Sequence, residues 1–246
     1  MQLFLTSSPC DDNVPEGVTL PCILDASNGL VARLQERFSS GTSCVIIAAS
    51  PDAFALNDQM AWTFEQAFAY HGMAFSRMRL IDSRNEDELP DALRESGVVI
   101  LAGGHVPTEN AFFVRLGLRE LMQNYEGIVM GISAGTMNCC DEVYAQPEEP
   151  GEAADPAYRR FIRGLGLTDV MVLPHYQKVK DYWLDGQRLY DDITYGDSYG
   201  RVFYALVDGS YVLVENGHAM IYGEAYEIRD GQMTQLTAVG ESYQIK

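Results

Sequence analysis

Short apolar runs rich in β-branched residues alternate along most of the chain with stretches of helical periodicity. Runs of the first kind predict β-strands, and apolar residues recurring every three or four positions predict helices. The predicted strands are LFLTSS, SCVIIAAS, RMRLIDS, GVVILAGG, GIVMGI and DVMVLPHY, and the predicted helices lie in MAWTFEQAFAYHG, ELPDALRES and TENAFFVRLGLRELMQNY. Because strands alternating with helices build βαβ units, we expect an α/β fold with a mainly parallel sheet flanked by helices.

The last third of the chain changes to consecutive strand patterns. Apolar runs within residues 201–236 are separated by Asp208-Gly209, Asn216-Gly217 and Asp230-Gly231. Such pairs are typical of two-residue hairpin turns, because they tolerate the positive φ angles that these turns require. A C-terminal antiparallel strand portion is therefore expected.

The composition is that of an ordinary folded protein, with 47% hydrophobic and 21% charged residues in a chain of 246. No internal repeat or long flexible linker divides the sequence, so residues 1–246 are predicted to form a single domain. No stretch is long enough to span a bilayer, and the start lacks the basic region of a signal sequence. These features favour a cytoplasmic protein without a membrane partner.

The charge balance limits the partners further. The formal net charge is −18, with 17 Lys and Arg against 35 Asp and Glu. Since a phosphate backbone is bound mainly by Lys and Arg, nucleic acid is not an expected partner. A homodimer is compatible with the sequence, which contains nothing that decides it.

Neither metal nor cofactor motifs are present. The five cysteines include the adjacent Cys139 and Cys140 but no paired spacing, so buried reduced thiols are expected rather than disulfides or a metal site. The glycine-rich segments lack both the Lys-Ser/Thr ending of a P-loop and the G-x-G-x-x-G pattern of a dinucleotide site. We therefore predict no metal and no organic cofactor.

The segment GISAG matches the G-x-S-x-G pattern of a nucleophile elbow and directly follows a predicted strand. Small residues surround the serine in such a turn because a side chain would collide with the adjoining strand and helix. The turn exposes the hydroxyl of Ser133 and leaves the N–H of Ala134 free to bind an oxyanion. Ser133 is therefore the candidate nucleophile.

A serine nucleophile requires a base, and the chain has four histidines. His71 lies in a helical pattern and His218 follows a predicted turn, so both are expected at the surface or in packing. His175 follows the carboxyl end of an apolar strand, which is where α/β sheets gather ligand-binding groups. His175 is therefore the candidate base.

The segment VILAGGHVPTEN ends another predicted strand with Gly103 and Gly104. Glycines at this place let main-chain N–H groups turn towards a neighbouring site, so Gly104 is a candidate for the second oxyanion donor beside Ala134. Gly103 and His105 are candidate substrate-binding residues.

Taken in order, the AGGH loop, the GISAG elbow, LPHY and ALVDGS resemble the peptidase E and cyanophycinase family of serine peptidases. The resemblance implies a fold similar to class I glutamine amidotransferases and supports Ser133 as a nucleophile. The related amidotransferases carry cysteine in the elbow, and the serine here argues against glutamine hydrolysis.

The chain departs from the family pattern in two places. His105 replaces an asparagine, and the loop that recognises acidic side chains in the family here reads DEVYAQPEEPGE. A pocket lined by acidic residues of this loop would repel an aspartyl substrate, so a neutral or basic substrate is expected equally. The candidates for such a lining are Asp141, Glu142, Glu148, Glu149 and Glu152.

Two arguments about the third member of the triad disagree. The chain order of α/β-hydrolases places the acid between serine and histidine, which nominates Asp141, Glu148 or Glu149. The resemblance places it after the histidine, at Asp208, although Asp208-Gly209 also has the ordinary signal of a hairpin turn. We favour Asp208 over Asp141.

The expected reaction is hydrolysis of a small peptide amide bond through an acyl-enzyme. Two alternatives remain at the level of sequence: an esterase or transacylase with the same triad, and a non-catalytic binding or sensor protein with the same fold.

Overall fold

The computed structural model describes residues 1–246, and its strands form two main sheets. The strands are β1 (Gln2–Thr6), β2 (Cys10–Asp11), β3 (Ile23–Leu24), β4 (Ser43–Ile47), β5 (Arg77–Ile81), β6 (Val98–Leu101), β7 (Ile128–Ile132), β8 (Glu142–Tyr144), β9 (Phe161–Arg163), β10 (Met171–Leu173), β11 (Trp183–Leu184), β12 (Gln187–Arg188), β13 (Val202–Leu206), β14 (Tyr211–Glu215), β15 (His218–Tyr222), β16 (Ala225–Arg229), β17 (Gln232–Thr237) and β18 (Ser242–Gln244).

The central sheet has eight strands in the order β18-β15-β14-β1-β7-β6-β4-β5. Five neighbouring strands of this sheet are parallel to one another, namely β1, β7, β6, β4 and β5. The strands β14, β15 and β18 add an antiparallel edge. This arrangement confirms the predicted α/β fold with a mainly parallel sheet and a C-terminal antiparallel portion.

The parallel strands are apolar on both faces because the sheet is covered on both sides. In β4, Val45 and Ile47 belong to one hydrophobic cluster, while Cys44 and Ile46 belong to the cluster on the opposite face. Side chains alternate along a strand, so a strand buried on both faces has a continuous apolar sequence. This explains the unbroken apolar runs in the sequence.

The helices differ in detail from the sequence prediction. The helix expected over residues 60–72 begins earlier, and the one expected over residues 108–125 is broken at Gly117, whose φ is 61°. The helices are α1 (Leu30–Arg37), α2 (Phe54–Tyr70), α3 (Leu89–Glu95), α4 (Val106–Arg115), α5 (Leu118–Met122), α6 (Ala134–Asn138), α7 (Tyr176–Val179) and α8 (Tyr195–Asp197), with a 3₁₀ turn at Glu86–Glu88 and a π-helical segment at Leu189–Thr194. None of these helices combines the length and the apolar composition needed to cross a membrane.

A second sheet of four strands, in the order β10-β13-β16-β17, lies beside the central one. The sequence predicts β10 as a further strand of the central sheet, but β10 instead pairs in parallel with β13 in this second sheet. The other predicted turns, at Asn216-Gly217 and Asp230-Gly231, connect the antiparallel pairs β14–β15 and β16–β17.

Asp208-Gly209 is not the hairpin turn that its sequence suggests. The strands on either side of it, β13 and β14, lie in different sheets. A strand has only two edges, and those of β14 are already paired with β1 and β15. The hairpin interpretation is therefore wrong, and Asp208 lies in a link between the two sheets.

Candidate active site

Ser133 occupies the tight turn between β7 and α6. Its φ of 51° and ψ of −111° lie outside the regions that non-glycine residues usually adopt. The N–H of Ser133 donates to the carbonyl groups of Thr6 and Ser7, each at 3.2 Å, which holds the turn against the end of β1. This is the strand-turn-helix context that the G-x-S-x-G pattern requires.

The two glycines of the pattern are needed for space. A Cβ atom on Gly131 would lie 2.7 Å from Cα of Thr136, and one on Gly135 would lie 2.6 Å from the carbonyl oxygen of Ala102. Gly131 thus lets α6 fold back on its own strand, and Gly135 lets the helix approach the end of β6.

His175 is two residues beyond the end of β10 and has a left-handed backbone conformation with φ of 58°. Its Nε2 atom lies 2.8 Å from Oγ of Ser133, although the two residues follow strands of different sheets. Its backbone N–H donates to Oγ of Ser7 at 2.7 Å. The turn after β10 therefore directs the imidazole across the junction of the two sheets.

Asp208 lies on the other side of the imidazole. Its Oδ1 atom is 2.6 Å from Nδ1 of His175 and also accepts a hydrogen bond of 2.8 Å from the hydroxyl of Ser7. Its Oδ2 atom forms an ion pair of 2.8 Å with Nζ of Lys178. Both carboxylate oxygens therefore have partners, and one of these partners is His175.

The rival candidates for the acid have different partners. Asp141 pairs with Nη2 of Arg119 at 2.6 Å. The side chains of Glu148 and Glu149 make no hydrogen bond to His175, whose Nδ1 pairs with Asp208. The structure thus brings Ser133, His175 and Asp208 together and leaves the acids between serine and histidine outside this chain of contacts.

The Asp208 carboxyl is held in its ionised form. Burial raises its pKa, but hydrogen bonds from His175, Lys178 and Ser7 outweigh this effect and hold the pKa well below the usual range of an aspartate. The same ion pair raises the pKa of Lys178. Sequence analysis missed Ser7 and Lys178, and Ser7 had no local signal because it is 168 residues away from His175.

The two candidate oxyanion donors lie next to the elbow. Gly104 lines the same cavity as Ser133, and its N–H donates no hydrogen bond within the protein. Ala134 is the first residue of α6, and the first amides of a helix have no acceptor within the helix. A Cβ atom on Gly104 would lie 2.7 Å from Cβ of Ala49, so only glycine fits there without a shift.

Ser133 and His175 open into a cavity of about 350 Å³. The wall contains one acidic residue, Glu148, and no Lys or Arg. The lining residues are Gly104, Val106, Ser133, Met137, Gln146, Pro147, Glu148, Pro174, His175, Val179, Tyr182 and Leu189.

Of the five acidic candidates for the lining of this pocket, Glu148 is the one that lines it. Glu142 pairs with Arg201 at 2.8 Å, and Asp141 pairs with Arg119, because both residues lie at the start of β8 rather than in the loop beyond it. Glu152 turns away to pair with His105 at 2.8 Å. The acidic character of the cavity therefore comes from Glu148 alone.

The candidate substrate-binding residues are close to the site but do not line the cavity. Gly103 lies directly behind the nucleophile, where a Cβ atom would be 3.2 Å from Cβ of Ser133. His105 places Nδ1 2.8 Å from Oγ of Thr108 and Nε2 2.8 Å from Oε1 of Glu152. Their role in substrate binding stays a prediction.

One group of side chains has donor atoms close enough to hold a metal ion. Ligand atoms of His105, Glu149 and Glu152 lie within 4.8 Å of one another. However, one oxygen of Glu152 already accepts the N–H groups of Glu148 and Glu149, and the other pairs with His105. These hydrogen bonds within the loop explain why the side chains lie close together.

Comparison with known proteins identifies the family and agrees with the fold. The model of peptidase family S51 matches residues 29–222. The chain is similar to the crystal structure of a peptidase from an acI-B1 Actinobacterium, with a TM-score of 0.68 and 16% identity over 99% of this chain and 96% of that one.

A second similar structure is a putative peptidase E protein from Listeria monocytogenes EGD-e. Its TM-score is 0.58, with 16% identity over 96% of this chain and 98% of that one. No curated protein matches the chain. At 16% identity the two structures establish the fold alone, whereas the family model spans most of the sequence. The chain therefore belongs to peptidase family S51 and is a serine peptidase.

Proposed function

We propose that this chain cleaves an amide bond of a short peptide through Ser133, His175 and Asp208 and an acyl-enzyme intermediate. The observation that supports this most directly is the line of hydrogen-bonding distances, 2.8 Å from Ser133 Oγ to His175 Nε2 and 2.6 Å from His175 Nδ1 to Asp208. Such distances are those expected between a nucleophile, its base and the orienting acid.

In the proposed reaction, neutral His175 carries its proton on Nδ1 and donates a hydrogen bond through it to the ionised Asp208, which leaves Nε2 free to accept the proton of Ser133. Ser133 attacks the carbonyl carbon, and His175 then protonates the leaving amine. The ionised Asp208 stabilises the imidazolium that forms in between. Water then repeats the sequence to release the acid, without a metal or an organic cofactor.

The amides of Gly104 and Ala134 are the proposed donors to the tetrahedral oxyanion. Both adjoin the elbow: Gly104 packs closely against Cβ of Ala49, and Ala134 is the first residue of α6. Fixed donors of this kind stabilise the developing charge without reorganisation.

A cavity of about 350 Å³ supports a small substrate rather than an extended polypeptide.

The proposal treats residues 1–246 as one catalytic domain. In support of this, β1 lies ahead of the family match but pairs with both β7 and β14 inside the central sheet.

A fluorophosphonate probe tests the proposal, because it reacts only with an activated serine. We expect stoichiometric labelling of Ser133, located by peptide mass spectrometry, and loss of labelling in both Ser133→Ala and His175→Ala. Ser210→Ala is the control, since this buried serine lies outside the cavity and should leave labelling unchanged. Labelling of another residue, or full labelling of His175→Ala, would contradict the assignment.

A parallel panel of short peptides and simple esters separates a peptidase from an esterase or transacylase with the same triad. We expect hydrolysis of peptides in the wild type and none in Ser133→Ala. Turnover of esters with no cleavage of any peptide would favour the esterase.

A further inference from the structure

Glu148 is the one acidic residue that lines the cavity, and its carboxylate has no partner within the protein. It forms no ion pair, and its only hydrogen bond is from its backbone N–H to Oε2 of Glu152, at 2.8 Å. Three acidic neighbours are engaged, whereas Glu149, which does not line the cavity, also lacks a side-chain partner. Glu152 pairs with His105, Asp208 pairs with His175, and Asp185 accepts the N–H groups of Gly151 and Ala153.

The backbone fixes the place of this free carboxylate. Pro147, directly before Glu148, is buried in the cavity wall and has a restricted φ. The hydrogen bond from the backbone N–H of Glu148 to Oε2 of Glu152 also fixes the backbone at this position. Glu148 therefore presents its charge to the cavity from a position set by the main chain.

Glu148 is an exposed residue of the cavity wall, so a ligand in the cavity can reach its charge. Its partial burial raises the pKa of the carboxyl, and His105 only partly offsets the effect. A carboxylate without a partner in the protein can form a charge-assisted hydrogen bond with a cation that enters the cavity.

The rest of the wall suits the aliphatic part of a ligand. Val106, Met137, Val179 and Leu189 supply apolar surface in the same cavity, which has no Lys or Arg to pair with a carboxylate of the substrate. Long cationic side chains bury their methylene groups against apolar surface and keep the charged end near a polar group.

We propose that Glu148 binds a cationic group of the peptide substrate, with the aliphatic part of that residue against the apolar wall of the cavity. The proposal rests on the proposed peptidase function and adds a substrate class to it. The cation is an ammonium or guanidinium group, and it has two sources in a short peptide: a Lys or Arg side chain, or the free α-amino group.

The test uses dipeptides X-Leu and Leu-X in which X is Arg, norleucine or Glu, each with a free and with an acetylated N-terminus. Norleucine matches the aliphatic stem without the charge. We expect kcat/KM to fall in the order Arg, norleucine, Glu at one of the two positions. Glu148→Gln should lower kcat/KM for the cationic peptide by roughly 10- to 100-fold, because glutamine keeps a hydrogen-bond acceptor but loses the negative charge that pairs with the cation.

The two sources give different patterns in this series. If the side chain is the cation, acetylation leaves the effect of Glu148→Gln unchanged. If the α-amino group is the cation, the effect of Glu148→Gln appears for every free peptide and disappears on acetylation. Glu149→Gln is the matched control, because this neighbouring carboxylate does not line the cavity and should leave all rates within about twofold of wild type.

A second readout does not depend on turnover. The same peptides should slow fluorophosphonate labelling of Ser133 in the wild type, and the cationic peptides should lose this protection in Glu148→Gln. This proposal is overturned if Ser133 is labelled but cleavage and protection do not depend on the charge of the peptide, or are unaffected by Glu148→Gln. The proposed function would then still stand. Absence of labelling at Ser133 in the wild type would overturn the proposed function itself.

Discussion

Asp208 connects three otherwise separate parts of the site. It contacts Nδ1 of His175, the hydroxyl of Ser7 and the ammonium group of Lys178. Ser7 in turn accepts the backbone N–H of His175 at 2.7 Å. The imidazole is therefore held at both its ring and its backbone by groups that also bind the carboxylate.

We expect Asp208→Asn to lower kcat by about 10⁴-fold, because an amide neither fixes the required tautomer of His175 nor stabilises the imidazolium. The measurement is steady-state hydrolysis of the best peptide found for the wild type. Asp141→Asn is the comparison and should retain near-normal turnover, since Asp141 pairs with Arg119. Near-normal activity of Asp208→Asn, together with collapse in Asp141→Asn, would reverse the assignment.

At the level of elements, the elbow depends on how closely α6 packs against β6 and β7. A Cβ atom on Gly135 would overlap the carbonyl oxygens of Leu101 and Ala102. We expect Gly135→Ala to reduce the free energy of unfolding by about 1–3 kcal/mol, as for other overpacked sites, and to reduce labelling of Ser133. Urea unfolding measures the first effect.

Gly196→Ala is the control for this substitution. Gly196 lies in α8 with no atom within 4 Å of the added methyl group. Alanine there should leave stability unchanged or raise it by about 0.5–1 kcal/mol. Equal stability of the two variants would show that the close approach of α6 is not required.

The contact between α4 and α6 contains a buried acid. Glu109 is fully buried, Oε2 accepts a hydrogen bond from Asn138 at 2.9 Å, and Oε1 has no partner. Burial raises the pKa of this carboxyl well above its usual value, against the opposing effect of Asn138. The folded protein therefore keeps a proton that the unfolded chain loses above about pH 4.5.

Because the folded pKa is raised, the stability due to this proton is complete below the unfolded pKa and is lost as pH rises through the folded pKa. The loss is at most about 1.4 kcal/mol per pH unit within that window. Gln cannot ionise and does not lose this stability. The free energy of unfolding of Glu109→Gln, relative to that of the wild type, should therefore be higher at pH 8 than at pH 5. Urea unfolding at both pH values measures this difference, and the exposed Glu120→Gln should follow the wild type.

At the level of the whole molecule, the first strand is central although it lies outside the family match. Leu3, Phe4 and Leu5 of β1 are completely buried, and both edges of β1 are paired. We expect deletion of residues 1–28 to abolish cooperative unfolding, because it removes the strand that joins the parallel and antiparallel parts of the sheet. Circular dichroism on heating is the measurement.

Deletion of residues 240–246 is the matched control. It removes β18, which pairs only with β15 at the edge of the sheet. This shorter protein should still unfold cooperatively, at a lower Tm. A folded, cooperative protein lacking residues 1–28 would contradict the central role of β1.

The sequence by itself determined those features that depend on local patterns. Continuous apolar runs predicted the parallel strands, and G-x-S-x-G after one of them predicted the turn at Ser133. His175 was singled out because it follows the end of an apolar strand, and it lies beside Ser133 in the structure. These inferences succeeded because backbone geometry and burial on both faces of a sheet constrain consecutive residues.

Only the tertiary structure decided how the strands were distributed and which distant side chains met. β13 and β14 have the sequence of a hairpin, yet β14 is paired on both edges by other strands, so Asp208 lies between the sheets and beside His175. Ser7 and Asp208 are separated by 201 residues, and no local spacing encodes their contact. Glu148 likewise differs from the other acids of its loop because it alone lines the cavity, which depends on the path of the loop in space and not on sequence position.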